Sequence, residues 1–145
     1  MRAFALGLLI GVGGVSVGPA SADEVLRCKI TPDRAGSLLP ETVEIRLRGR
    51  FDVDVTSSVL AEHGDTAWVE GKVEVRNAKR TSYTWLTKGV PLPASLSSVF
   101  SGDLNHFSRL TLYPGRAIGL ITVNAPYLRR TLTHRGKATC ITTTD

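Results

Sequence analysis

The sequence predicts an all-β domain: a small antiparallel β-barrel of about seven or eight strands with one long loop. Apolar and polar residues alternate with a period of two through most of the chain after residue 40. Runs of this kind are separated by short Gly, Pro or Asn turns, and no amphipathic helix of useful length interrupts them. Two cysteines stand far apart, Cys28 before the first clear alternation and Cys140 in the last. A two-sheet β-sandwich uses the same elements and is the alternative.

Before the strands comes a leader. Met1-Arg2 is basic, Phe4 to Val17 is apolar and uncharged, and Ala20-Ser21-Ala22 is a small-residue cleavage site. That order predicts a signal peptide over residues 1–22 and a single β domain over 23–145. The apolar run is too short for the roughly 20 residues that a spanning helix needs. No transmembrane segment is expected in the mature chain, and the expected location is periplasmic or secreted. In an exported chain two cysteines predict a disulfide, here Cys28–Cys140. Closing a loop of about 100 residues is worth about 4–5 kcal/mol in the chain-entropy picture.

Val43, Ile45 and Leu47 alternate with Glu44, Arg46 and Arg48; after Gly49-Arg50, Phe51, Val53 and Val55 alternate with Asp52, Asp54 and Thr56. Residues 41–56 are one strand bent at Gly49, or two short ones. Ser57 to Asp65 is a turn tipped by His63-Gly64-Asp65. Residues 67–87 form a hairpin: alternation from Ala67 to Arg76, the polar turn Asn77-Ala78-Lys79-Arg80, then the β-forming run Thr81–Thr87.

Lys88 to Ser108 breaks the pattern with Pro91, Pro93, a run of serines and Gly102. It is expected to be the long loop, with Ala94–Phe100 making one or two helical turns. Strands resume at Arg109–Tyr113 and, past Pro114-Gly115, at Arg116–Asn124, which is apolar enough to be buried on both sides and is closed by Ala125-Pro126. Leu128 to Ile141 is the final strand or strand pair. A signal peptide, a cysteine in the first mature strand, serial hairpins and a closing Gly136-Lys137-Ala138-Thr139-Cys140 together resemble a class of small exported bacterial β-barrel proteins of uncharacterised function. That resemblance implies the barrel and its terminal-strand disulfide. Neither tryptophan lies in the Gly-x-Trp of lipocalins, so a lipocalin pocket is not implied.

Chemistry-bearing residues are sparse. Asp52 and Asp54 share a strand face, but Arg46, Arg48 and Arg50 lie close in sequence, so surface ion pairing is expected of them. His63, His106 and His134 lack metal-ligand spacing, and no metal or other cofactor is expected. The candidate binding residues are Trp68, Tyr83 and Trp85, as surface aromatics on the hairpin, and Arg129 and Arg130, as part of a basic last strand. His106 joins them as the histidine of the long loop. For the aromatics the competing reading is that Tyr83 and Trp85 fill the core, because only 6% of the chain is aromatic.

The net charge of +5 favours anionic neighbours; the basic residues are spread along an exported chain, which argues against nucleic acid. The expected function is a non-enzymatic exported binding or structural protein of the bacterial envelope, contacting an anionic surface, a glycan or a protein. Two alternatives remain: an inhibitor of an exogenous enzyme acting through the 88–108 loop, and a small hydrolase with a site around Asp103 and His106.

Overall fold

Eight antiparallel strands close into a barrel in simple chain order, each pairing with its sequence neighbours and the last pairing with the first. The structure is a computed structural model and describes residues 23–62, 68–92 and 102–144. The strands are β1 (Glu24–Pro32), β2 (Thr42–Leu47), β3 (Asp52–Ser57), β4 (Val69–Arg76), β5 (Thr81–Pro91), β6 (Asp103–Leu112), β7 (Ile118–Tyr127) and β8 (Arg130–Thr144). One short helix, α1 (Ser58–Glu62), follows β3. The barrel, not the sandwich, is the architecture. The expected signal peptide, the His63-Gly64-Asp65 tip and the Ala94–Phe100 turns lie outside the described residues.

The period-two pattern explains the wall. Ile45, Val53, Val55, Leu110 and Ile121 point inward and are almost wholly buried, joined by Tyr83, Trp85 and Val73 in one core. Eight strands enclose a space just wide enough for side chains to fill. Trp85 pairs in register with Gly71, so the largest ring in the core lies against the smallest residue. A Cβ at Gly71 would stand 2.9 Å from the Thr84 carbonyl oxygen and 3.0 Å from a Val53 methyl, so no larger residue fits. A smaller core of Leu38, Leu104 and Ala125 seals the rim near the β1–β2 loop, with Leu92, Tyr127 and Leu132 packed on it.

The outer wall is polar, carrying Lys29, Glu44, Lys72, Glu74, Arg109 and Arg135 on its exposed positions. Among the described residues the exposed large apolar side chains on the strands are Phe107, Ile118, Leu120 and Ile141. Among the described residues no helix is long and apolar enough to cross a membrane.

The turns follow their chemistry. Residues 41–56 are two strands, β2 and β3, joined by a tight turn in which the Arg48 amide donates to the Asp52 carbonyl at 3.1 Å. Asn77 closes the β4–β5 turn by accepting from the amides of Lys79 and Arg80, each at 2.9 Å. Tyr113-Pro114-Gly115-Arg116 is a type II turn: the Arg116 amide donates to the Tyr113 carbonyl at 3.0 Å and Gly115 has φ 78°.

Several boundaries differ from expectation. Lys88–Ser108 is not one loop: β5 runs on to Pro91 and β6 begins at Asp103, with Val90 opposite Leu104. A register shift between Thr87 and Val90, with Gly89 at φ 64°, absorbs the extra residue and keeps the strands paired. Pro91 is tolerated because it ends the strand. The turn expected over Ser57–Asp65 opens with α1, whose Ser58 hydroxyl accepts from the Glu41 amide at 2.7 Å. β7 does not close at Ala125-Pro126 but continues to Tyr127. Nor is it buried on both sides, since Ile118 and Leu120 are about half exposed on its outer face.

Candidate functional site

The terminal strands are fastened where the sequence placed the fastener. Cys28 and Cys140 are register partners on β1 and β8, with Cα atoms 4.0 Å apart, and they form the only disulfide recorded among the described residues. The two strands also pair along their length from Glu24↔Thr144 to Pro32↔Gly136, so the seam holds hydrogen bonds as well as the covalent link.

The candidate binding residues do not assemble into one site. Tyr83 and Trp85 are buried to 7% and 5% exposure inside the barrel. Burial pushes the Tyr83 phenol above its ordinary pKa, and the neighbouring Arg76 pulls part of the way back. His106 is on the inner wall, not on a loop, and is 3% exposed beside its register partner Thr87. Asp103 lies at the start of the same strand with its side exposed, on the opposite face from His106. Asp103 and His106, the residues of the hydrolase reading, thus occupy opposite faces of β6.

Trp68 is on the outer surface, half covered, with the Arg46 guanidinium 4.3 Å over its ring. Arg129 sits in the β7–β8 turn and Arg130 at the first position of β8, beside the fully projecting Leu128. Asp54 and Glu70 belong to a paired surface: Arg48 lies 3.1 Å from Asp54 and 3.4 Å from Glu70; Asp52 is exposed at the start of β3, in register with Lys72. No cluster of three metal-ligating side chains occurs among the described residues.

What the topology does bring together is positive charge at one rim. In a meander of antiparallel strands the β2–β3, β4–β5 and β6–β7 turns all open on the same end of the barrel. They read Arg48-Gly49-Arg50-Phe51, Asn77-Ala78-Lys79-Arg80 and Tyr113-Pro114-Gly115-Arg116-Ala117. None contains a carboxylate. Arg48 turns back along the wall to its acidic partners. Arg50, Lys79, Arg80 and Arg116 remain at the end. Two of them lie over aromatic rings, Arg50 over Phe51 and Arg116 over Tyr113, each 5.2 Å from the centroid. Lys79, Arg80, Tyr113 and Arg116 line a shallow recess of about 600 Å³ between the β4–β5 and β6–β7 turns. Arg129 and Arg130 stand at the other rim.

A second basic feature crosses the wall. Lys72, Thr84, Arg109, Thr122 and Arg135 follow one another in register over β4 to β8, a cation on every other strand. They line an open groove of about 650 Å³ together with Phe107 and Asn124.

The rim was missed in the sequence because its residues are some thirty positions apart in three different turns. The signal for it is present all the same: every second turn of the chain is basic and acid-free, and the strand count decides that those turns share an end.

The fold defines the chain as a disulfide-closed, eight-stranded up-and-down β-barrel with a basic rim. Comparisons with protein-family models, with curated proteins and with solved structures found no match.

Proposed function

We propose that the protein is a non-enzymatic exported binding protein of the bacterial envelope, and that it contacts an anionic surface end-on through its basic rim. The observation that carries this is the concentration of Arg50, Lys79, Arg80 and Arg116 on three co-facing turns that contain no acid. The cations of the three turns outnumber the acids beside them at that end, Asp23, Glu24 and Asp52, and such an excess orients a diffusing protein toward an anionic surface. The disulfide is compatible with an oxidising compartment outside the cytoplasm, and the leader over residues 1–22 supports export.

Near an anionic surface each Lys or Arg contributes about 1 kcal/mol, so replacing three weakens binding roughly a hundredfold. The test is association with anionic envelope vesicles at rising salt, comparing the parent with a Lys79→Ser, Arg80→Ser, Arg116→Ser variant. Loss of binding in the variant, and decline with salt in the parent, are expected. Equal binding by both sinks the reading.

The row of Lys72, Arg109 and Arg135 favours a second reading, an acidic glycan laid across β4–β8. Hydroxyls of Thr84 and Thr122 and the Asn124 amide would then meet sugar hydroxyls, and Phe107 a sugar face.

A further inference from the structure

We infer that the anionic surface is a phospholipid bilayer, on which the barrel stands by its basic rim with Phe51 and Ile118 set below the headgroups. The inference rests on the end-on reading above and adds the chemistry of the partner. Its basis is where the exposed apolar side chains lie. Among the described residues six large apolar side chains are strongly exposed: Phe51, Phe107, Ile118, Leu120, Leu128 and Ile141. Phe51 is in the β2–β3 turn and 57% exposed; Ile118 opens β7 directly after the β6–β7 turn and is 49% exposed. Ile141 is 63% exposed, two residues rimward of Thr139, the register partner of Ile118. Leu120 is one outward position below Ile118. Four of the six thus gather at or just behind the rim that carries Arg50, Lys79, Arg80 and Arg116.

Cations explain attraction to any polyanion, but they do not call for bulky apolar groups beside them. A soluble acidic polymer leaves Phe51, Ile118 and Ile141 in water. A bilayer takes both: guanidinium and ammonium groups at the phosphates, aromatic and aliphatic groups at the acyl boundary. The Arg50–Phe51 arrangement fits that boundary, an apolar ring on one side and its cation on the other. The polar wall limits how deep the barrel sinks, so contact ends at the turns and the first outward positions.

The test uses the full mature chain and three probes: vesicles of phosphatidylglycerol with phosphatidylcholine, vesicles of phosphatidylcholine alone, and dextran sulfate. Two variants separate the contributions. Phe51→Ser with Ile118→Ser removes the apolar groups and keeps every charge; Lys79→Ser, Arg80→Ser, Arg116→Ser does the reverse. Both change exposed positions, and an unaltered thermal melt confirms the fold. The apolar variant is expected to lose about tenfold in affinity for anionic vesicles while its dextran sulfate binding is unchanged. A third variant, Phe51→Trp, is expected to show a blue shift, in the difference spectrum against the parent, on adding anionic vesicles. Unchanged vesicle binding by the apolar variant, or no shift with Phe51→Trp, overturns the bilayer and leaves the charge reading standing. Binding to dextran sulfate without binding to vesicles does the same and points to an acidic polymer. Unchanged binding by the charge variant overturns both readings.

Discussion

Arg109 on β6 reaches across β5 to Glu74 on β4, with its Nη2 2.8 Å from each carboxylate oxygen. The pair spans two strand spacings and lies over the middle of the cationic row on the wall. It neutralises the central cation there, whereas no acid is present in the three rim turns. That contrast is why the rim, and not the wall, leads the functional reading. Both side chains are about half exposed, which limits the pair to about 0.2–1 kcal/mol. A double-mutant cycle with Glu74→Gln and Arg109→Gln, read by urea denaturation, is expected to return a coupling in that range. The coupling should shrink in about 1 M salt, where charges are screened within roughly 3 Å.

The Cys28–Cys140 link stabilises without creating the fold. The sequence separation of 112 makes the closed loop nearly the whole domain. Replacing both cysteines by alanine is expected to cost about 2–5 kcal/mol in denaturation experiments. The β signature in far-ultraviolet circular dichroism should persist, because β1 and β8 pair over nine register positions. A variant with no β structure at low temperature would show that the seam depends on the covalent link.

His134 makes stability depend on pH. Its Nδ1 accepts from the Leu38 amide at 3.4 Å, tying the β1–β2 loop to β8. Burial, and then the Arg34 charge, pull the imidazole below its ordinary value of 6.5. Below that value the unfolded chain takes up a proton at His134 that the folded domain resists, so the unfolded state binds more protons. The contribution of His134 is therefore complete above about pH 6.5 and declines as pH falls toward the folded value. Melting temperatures from about pH 7.5 to about pH 5 should fall more steeply for the parent than for His134→Gln. Parallel curves would remove His134 as a cause.

Much of the fold was legible because one interaction dominates it. Val43, Ile45, Val53 and Val55 alternate strictly, and a barrel wall with one face buried and the other in water demands that alternation. The β4–β5 hairpin and the terminal disulfide were readable on the same grounds. What escaped is what depends on pairing between strands. The bulge at Gly89 hid the end of β5, since a register shift looks like a loop when only one strand is in view. Ile118 and Leu120 read as core because apolar content alone does not say which face is out. Tyr83 and Trp85 suit surface and interior alike by residue type; the scarcity of large rings favours the interior, and Gly71, directly opposite Trp85, leaves room there for the ring. Arg129 and Arg130 are neighbours in sequence and so are legible there, whereas Arg50, Lys79, Arg80 and Arg116 come to one end only through the strand order.

The position of the two sulfurs has one more consequence. Cys28 belongs to the first strand and Cys140 to the last, so a single break of the backbone anywhere between them leaves one sulfur on each fragment. The fragments stay covalently joined, and every strand keeps its neighbours except across the broken turn. Where proteases are abundant and reductants scarce, a nicked molecule remains one molecule. Only a second cut, or reduction, turns local damage into loss.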